Sequence, residues 1–187
     1  MSLLPVLSAV EIAADRVLLR KARATDRDGL IELQTDPQVW THIAAPRTRE
    51  DAEQRLDRIG GPANTTATPG HFIVADKITD TMLGTFEIKR RPADWPGHVV
   101  DGGGELELGY LMRRETWGAG LAFEAATAAL QATAAELPDQ PVLIVTRTAN
   151  KRSLDLAARL RFETVSTFEW FDTDQTLLLA SLHSFKA

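Results

Sequence analysis

Apolar and polar residues alternate in several stretches of the chain, which is the pattern of strands with one buried face. One further stretch, 142–145, is a continuous apolar run and predicts a short, fully buried strand. Stretches 71–77 and 82–90 are separated by only a few turn-forming residues, so they predict a hairpin. The predicted strands in chain order are 16–21, 71–77, 82–90, 105–112, 142–145, 162–171 and 176–185.

Four other segments predict helices from their capping residues and from the spacing of their apolar residues. Thr25 is predicted to cap the first helix, and Asp36-Pro37 ends it. The order β-α-α-β-β-β-α-β-α-β-β shows no internal repeat and no domain boundary. We therefore expect one domain, residues 1–187 with a core at about 16–185, of the α/β (α+β) class around a mixed sheet. The predicted helices span about 25–34, 48–59, 118–137 and 150–161.

Composition narrows the class of protein. The 187 residues are 44% hydrophobic and 25% charged, which is typical of a globular domain. A net charge of −5 argues against a polyanion-binding surface, so we expect no nucleic-acid partner. No apolar run approaches the roughly 20 residues that cross a bilayer, and Met1–Ser8 lacks the basic flank of a secretory signal. The absence of Cys excludes disulfides and thiolate chemistry. We expect a cytoplasmic protein without a membrane partner.

The passage from the strand at 105–112 into the helix at 118–137 carries the clearest chemical signal. Gly118 and Gly120 let the backbone approach a ligand closely because they have no Cβ atom. The helix that follows begins with free N–H groups and a positive dipole end, which together suit a pyrophosphate. Neither the dinucleotide fingerprint nor the P-loop pattern fits this turn. The glycines could also serve only to pack helix against strand, so the turn by itself is a weak signal.

Two motif runs surround or follow this turn: Leu108-Gly109-Tyr110 … Trp117-Gly118-Ala119-Gly120-Leu121-Ala122 … Glu124-Ala125, and Asn150-Lys151-Arg152-Ser153 … Leu160-Arg161-Phe162. They resemble the acyl-CoA-binding segments of the GNAT superfamily, and more narrowly the branch that contains the ribosomal-protein N-terminal (alanine/serine) acetyltransferases. The first strand also resembles that branch, and the similarity extends over residues from about 10 to 185. Trp117 departs from the superfamily's Gln or Arg in the manner of the branch. Arg161 replaces the usual glycine, which predicts a different ending for the last helix.

The resemblance implies a GNAT-like fold, with a mixed, mostly antiparallel sheet of six to seven strands flanked by about four helices. It implies an acetyl-CoA-dependent N-acetyltransferase that transfers an acetyl group directly to a primary amine, with a protein N-terminal α-amine as the preferred acceptor. Two alternatives stay open: a small-molecule amine such as an antibiotic or metabolite, and a non-catalytic acyl-CoA-binding module. Acetyl-CoA is the expected cosubstrate, no metal is implied, and a homodimer is common among such enzymes.

The resemblance also assigns residues to the cosubstrate. The backbone at 117–122 would hold the pyrophosphate, and the strand before it would pair with the pantetheine arm. The N–H at about Met112 would polarise the thioester oxygen. Arg113 and Arg114 could add charge near phosphates or simply face solvent. The predicted cosubstrate-binding residues are Leu111, Met112, Arg113, Trp117, Gly118, Ala119, Gly120, Leu121, Ala122, Asn150 and Ser153.

Amine acetylation also needs a base, because an alkylammonium has no lone pair. Glu107 is the preferred base, acting through water, and Glu105 on the same strand face is the second choice. Either carboxylate could instead be exposed or salt-bridged. Ser153 would hydrogen-bond the thioester sulfur and could act as the acid for the leaving thiolate, while Asn150 could be only a helix cap. Tyr110, the only tyrosine, lies on the apolar face of its strand, so no tyrosine late in the chain can be the acid.

The acceptor end has weaker signals. Trp40 and His42 precede the second helix, where the family has acceptor-binding residues, although aromatic residues are more often core. Residues 91–104 are rich in Gly and Pro and predict a mobile segment that covers the site, or else a plain linker. The four His show no metal-ligand spacing. The identity of the amine and the oligomeric state are left open.

Overall fold

The computed structural model describes residues 4–187. The segment 1–8, which the sequence analysis compares with a secretory signal, begins in residues 1–3, and these lie outside the described residues. Five α-helices and eight strands are present in that part of the chain. The strands are β1 Ile12–Ala13, β2 Val17–Arg20, β3 His71–Asp76, β4 Met82–Arg90, β5 Leu106–Met112, β6 Pro141–Arg147, β7 Glu163–Trp170 and β8 Thr173–Ser181. The helices are α1 Arg27–Thr35, α2 Pro37–Trp40, α3 Arg49–Arg58, α4 Leu121–Glu136 and α5 Lys151–Arg159.

All eight strands form one sheet in the order β1-β2-β3-β4-β5-β6-β8-β7. Every neighbouring pair is antiparallel except β5 and β6, which are parallel. The predicted mixed, mostly antiparallel sheet is confirmed. It has more strands than the predicted six to seven because Ile12–Ala13 adds a two-residue edge strand. The additional helix is the single turn at Pro37–Trp40, which Asp36 caps by accepting the N–H of Gln38.

Helices cover both faces of the sheet. Helices α4 and α5 pack on one face over the larger apolar cluster, to which Leu106, Leu108 and Leu130 belong. Helices α1 and α3 pack on the other face over a smaller cluster that includes residues of β3 and the start of β4 and that Leu111 of β5 contacts. The rest of that second face carries charged side chains, and the segment 91–104 lies against it. One face is therefore a continuous core, and the other is divided between core and a polar region.

Two predicted helix boundaries are wrong. Thr25 caps no helix, because it lies inside a 3-10 turn, Ala24–Asp26. Asp26 in that turn is buried and accepts from the Arg20 guanidinium at 2.8 Å and from the Arg23 N–H at 2.7 Å. Arg161 has φ +62°, so it takes the left-handed conformation that glycine usually supplies, and α5 ends as it would with glycine.

The remaining boundaries lie within about four residues of the prediction. Helix α3 begins after Thr48, whose hydroxyl accepts the Asp51 N–H. Helix α4 begins at Leu121, later than predicted, because Gly118 and Gly120 both have positive φ and belong to the turn. None of the helices over residues 4–187 combines the length and the apolar character that crossing a bilayer requires.

Candidate active site

Strands β5 and β6 separate soon after they begin to pair. Only two residue pairs join them, Leu106 with Val142 and Glu107 with Leu143. Because β5 continues to Met112 and β6 to Arg147, the two strands leave a gap between their carboxyl ends.

The backbone of β5 turns polar groups into that gap. The N–H of Arg113 bonds to Leu83 on β4, and the carbonyl of Glu105 accepts from Arg91, so the odd-numbered residues of β5 direct their backbone groups toward β4. In an antiparallel pair the intervening residues point the opposite way. The N–H groups of Tyr110 and Met112 therefore face the gap, where an extended ligand chain could bond to them.

The turn after β5 leads to the amino end of α4. Gly118 has φ +79° and Gly120 has φ +77°. A Cβ at Gly118 would meet no atom within 4 Å, so glycine is needed there for its backbone conformation. The N–H groups at Leu121 and Ala122 belong to the first helical turn and have no partner within the helix. Free N–H groups and the positive dipole end fit a pyrophosphate.

Trp117 joins the end of β5 to the turn. Its indole N–H donates to the Met112 carbonyl at 2.9 Å. The Arg152 guanidinium at the start of α5 stacks over the same indole, 4.0 Å from the ring centroid. The indole thus fixes the geometry of the turn relative to both neighbouring elements. This explains in physical terms why a tryptophan can occupy the position where the superfamily usually has Gln or Arg.

Arg16 and Glu124 hold the other side of the turn. Arg16 donates to the Ala119 carbonyl at 3.0 Å and pairs with the Glu124 carboxylate at 2.8 Å. Glu124 also accepts the backbone N–H groups of Arg16 and Val17. Burial would raise the pKa of Glu124, but these donors outweigh it and the pKa lies below its usual value. Sequence reasoning noted both residues only as parts of motifs and missed this contact, which joins segments 108 residues apart.

The two arginines after β5 differ in their surroundings. Arg113 is mostly buried, pairs with Glu32 on α1 and with Glu115, and donates to the Met82 carbonyl at 3.1 Å. Its guanidinium is committed to these partners. Arg114 is more than half exposed, and its ion pair with Asp36 is long, at 3.6 Å. Of the two, Arg114 is the side chain with freedom to meet a phosphate.

Ser153 lies in the first turn of α5. Asn150 caps that helix, since its side-chain oxygen accepts the Ser153 N–H at 3.3 Å. The Tyr110 hydroxyl, from β5, donates to the Ser153 hydroxyl at 3.3 Å. Burial raises the pKa of Tyr110 and its bond with Ser153 opposes that rise, so the phenol is protonated near neutral pH. The sequence excluded only a late tyrosine and missed this mid-chain one beside Ser153.

Glu105 is buried and fully engaged by the segment 91–104. One carboxylate oxygen accepts the N–H groups of Val99 and Val100 at 2.7 and 2.9 Å, and the other lies 2.7 Å from His98 Nδ1. Burial would raise the pKa of Glu105, but these hydrogen bonds lower it below its usual value. Glu105 therefore fastens the segment to the sheet, which is not the arrangement of a free base.

Glu107 is also buried, and its carboxylate lies 3.0 Å from Arg91 Nη1. The Arg91 guanidinium lies over the rings of Trp95 and Trp170, 5.5 and 5.3 Å from their centroids, and the two rings pack against each other. Together these contacts hold the segment 91–104 against the hairpin of β7 and β8 at several points, so it is not a free loop. Glu107 is a salt-bridged strand carboxylate, one of the two readings that the sequence allowed.

A cavity of about 220 Å³ opens on the same face, above β3, β4 and β5. Its polar side chains include His71 and Glu87, and Gly109 and Leu111 of β5 line its floor. His71 and Glu87 were not singled out from the sequence.

The two predicted acceptor residues do not line that cavity. Trp40 is half-buried, and its indole N–H donates to the Leu33 carbonyl at 2.8 Å, which fastens α2 to α1. His42 follows α2. The segment after it contacts the end of β6 through a bond from Arg147 to the Ile43 carbonyl at 2.9 Å, so it borders the open end of the gap.

No group of three or more His, Asp or Glu side chains within residues 4–187 is arranged to hold a metal ion. The polar residues of the site are instead grouped around the gap and the cavity, on opposite sides of β5. The arrangement can bind an extended, phosphate-bearing ligand on one side and a small polar group on the other.

Comparison with solved structures gives the same topology over nearly the whole chain. A GNAT-family acetyltransferase from Bacillus anthracis aligns with a TM-score of 0.73 and 19% identity, covering 92% of this chain and 98% of that one. The spermidine N-acetyltransferase from Vibrio cholerae in complex with CoA and spermine aligns with a TM-score of 0.68 and 14% identity, covering 91% and 98%. RimL, the ribosomal L7/L12 alpha-N-protein acetyltransferase in complex with CoA, aligns with a TM-score of 0.66 and 15% identity, covering 93% and 99%.

At these identities the structures show a shared fold only. The sequence itself matches the family model for the acetyltransferase (GNAT) domain over residues 16–163, which is more than half of the chain. That span includes the glycine turn and the Asn150–Ser153 segment. The chain belongs to the GNAT family of N-acetyltransferases.

Proposed function

We propose that this enzyme transfers the acetyl group of acetyl-CoA to a primary amine, and that its acceptor is a protein N-terminal α-amine. The observation that carries the proposal is the gap between β5 and β6, into which Tyr110 and Met112 turn backbone N–H groups and which leads to the glycine turn. An extended pantetheine chain and a pyrophosphate fit these two features in that order. RimL, which has the same fold, is named as an α-N-protein acetyltransferase of ribosomal L7/L12.

Binding of acetyl-CoA uses mostly backbone groups. The N–H groups at 118–122 hold the pyrophosphate, and the edge of β5 pairs with the pantetheine. The Met112 N–H polarises the thioester carbonyl, and it stays in place because Trp117 holds the Met112 carbonyl. Arg16 and Glu124 keep the turn in its conformation before the ligand arrives, so less conformational entropy is lost on binding.

Tyr110 and Ser153 serve the leaving group. The Ser153 hydroxyl accepts a hydrogen bond from the protonated phenol, which makes its own proton a better donor to the sulfur. When the C–S bond breaks, the thiolate takes a proton through this pair. Asn150 positions Ser153 by capping its helix. A non-catalytic binding module would not require this arrangement.

Glu107, acting through water, stays a prediction as the base. The Arg91 guanidinium already occupies its carboxylate at 3.0 Å, so a water or an amine would have to compete with Arg91 for it. A Glu107→Gln variant would lose most of its turnover if Glu107 were the base. If turnover and its dependence on alkaline pH persist, another group takes the proton.

A small-molecule amine is the second candidate acceptor. The cavity above β5 is small, about 220 Å³, and the fold is also that of a spermidine N-acetyltransferase. Release of free thiol from acetyl-CoA, measured against N-terminal peptides, aminoglycosides, polyamines and nucleoside amines, tests both candidates. Turnover confined to peptides supports the α-amine proposal. Turnover confined to small amines refutes it, and binding of acetyl-CoA without thiol release from any amine supports the binding-module alternative.

A further inference from the structure

The polar side chains of the cavity above β5 form a group that has no role in the hypotheses that Glu107 or Glu105 is the base. His71 on β3 and Glu87 on β4 are directly opposite each other in the antiparallel register, so their side chains leave the sheet on the same face. Both are about one quarter to one third exposed, at 25% and 32%. They are therefore reachable from solvent while resting against the floor of the cavity.

The carboxylate of Glu87 lies over Gly109 of β5. Its strand register pairs it with Gly109, and a Cβ built on Gly109 would lie only 2.9 Å from Glu87 Oε1. The absence of a side chain at Gly109 is what allows this position. Adjacent strands are about 4.8 Å apart, so the carboxylate lies within about one strand spacing of the β5 backbone that borders the gap.

His71 Nε2 and Glu87 Oε2 are 3.6 Å apart, which is too long for a direct hydrogen bond. A donor between Nε2 and Oε2 could bond to both atoms, and an alkylammonium has the charge and the N–H groups to do so. Glu87 already accepts one alkylammonium, since its other oxygen lies 2.6 Å from Lys89 Nζ.

We propose that His71 and Glu87 receive the acceptor amine: Glu87 binds it as the ammonium ion, and His71 takes its proton. This rests on the acetyl transfer proposed above. One proton passes from the ammonium nitrogen to His71 Nε2, which leaves a neutral amine. The amine nitrogen bonds to the thioester carbon, the C–S bond breaks, and the thiolate takes a proton through the Ser153–Tyr110 pair, which the second amine proton then restores. The imidazolium then releases its proton to water.

The surroundings of His71 suit this role. Burial lowers the pKa of His71, the nearby charge of Glu87 raises it, and the charges of Lys89 and Lys21 lower it, with a net pKa below the usual value. The imidazole is therefore neutral and able to accept a proton near neutral pH. Activity should rise with pH through this low pKa, because the neutral form is the active one.

Two variants separate the roles. His71→Gln should lower kcat by about 100-fold near neutral pH, the usual contribution of a general base, and activity should return only as pH approaches the pKa of the free amine. Glu87→Gln should instead raise KM for the amine by about tenfold or more. Gly109→Ala should likewise raise KM for the amine, since the alanine methyl group displaces the Glu87 carboxylate. His183→Gln, at the far end of α4, is the matched control and should leave both parameters unchanged.

A titration of the His71 ring by NMR tests the pair without turnover. Glu87→Gln should lower the His71 pKa further, and spermidine should shift the His71 resonance in wild type but not in Glu87→Gln. An unchanged pH profile in His71→Gln, or a His71 resonance indifferent to both Glu87→Gln and spermidine, would overturn the proposal. Failure of every amine in the thiol assay while the titration responds would instead reject the proposed function and keep the binding pair.

Discussion

The two sides of β5 are built by different means. On the gap side, most groups offered to a ligand are backbone N–H groups at the strand end and the glycine turn, and the Tyr110 and Ser153 hydroxyls are the exception. The side chains of Trp117 and Glu124 only hold that backbone in place. On the cavity side, the groups offered are side chains, and they come from β3 and β4 over a floor that β5 forms.

This difference explains why the sequence points to a definite cosubstrate end and leaves the acceptor end open. A backbone site needs glycines and a helix start within a few residues of one another, so its signature is contiguous. A side-chain site needs only that distant residues converge, and it leaves no local pattern. The same difference lets one side stay fixed while the other changes, which fits a family fold shared by enzymes named for a polyamine and for a protein acceptor.

Breaking the Arg91–Glu107 pair should have the largest effect on the cavity side. Arg91→Met removes a fully buried guanidinium and leaves the mostly buried Glu107 carboxylate without its counter-charge. We expect the free energy of unfolding to fall by about 3 kcal/mol, measured by denaturant titration. The double variant Arg91→Met with Glu107→Gln should recover much of that loss, because no unpaired charge is left.

The result decides how Glu107 should be regarded. A loss under about 1 kcal/mol in the free energy of unfolding would mean that the Glu107 carboxylate does not need Arg91 as its counter-charge. Glu107 would then again be a candidate for the base. A large loss that the double variant repairs makes Glu107 a structural anchor of the segment 91–104. In that case the pair Arg91 and Glu107 on the cavity side is purely structural, and the pair His71 and Glu87 is the one available for chemistry.

The fold was predictable wherever one buried face imposed a period on the sequence. The hairpin of β3 and β4 follows from alternation, and its bounds agree with the prediction to within one residue. Its register was not predictable, because a bulge at Val74/Ala75 shifts the pairing. Without that register, His71 could not be matched with Glu87. The two-residue strand β1 and the single turn α2 were too short to show any period.

On the gap side, Gly118→Ala should weaken CoA binding without affecting the chemical step. Alanine in the left-handed region costs roughly 1–2 kcal/mol, so the free protein should relax the turn to another conformation in spite of Arg16 and Glu124. Because binding must then restore the original conformation, the dissociation constant for CoA should rise about tenfold while kcat changes little. Gly102→Ala is the matched control. Gly102 also has positive φ, at +84°, and a Cβ there also meets nothing within 4 Å.

Calorimetric titration with CoA compares the two glycine variants. Both should lose similar stability, and only Gly118→Ala should lose CoA affinity. Equal loss of affinity in both variants would show that general destabilisation weakens binding. An unaffected Gly118→Ala would show that the turn does not contact the pyrophosphate.

The site residues that sequence reasoning missed share one property: each depends on a contact between distant segments. Tyr110 and Ser153 are 43 residues apart and meet across β5 and α5. Arg16 reaches the glycine turn from the start of β2, more than 100 residues away. Sequence analysis identified Ser153 and the turn themselves because family motifs contain them. It could not identify their partners, since periodicity and capping describe only neighbours along the chain.

The smallest expected effect lies outside both sides of β5, at the end of α5. Arg161 is held at φ +62°, a conformation that costs a residue with a Cβ roughly 1 kcal/mol. Arg161→Gly should therefore raise the free energy of unfolding by about 0.5–1 kcal/mol, less than the full strain because glycine also gains freedom in the unfolded chain. Arg161→Ala keeps the Cβ and should gain nothing. If alanine stabilises the protein as much as glycine does, the arginine side chain and not the backbone is the source of the strain. Neither variant should change kcat or KM, because α5 meets the site at its other end, through Ser153.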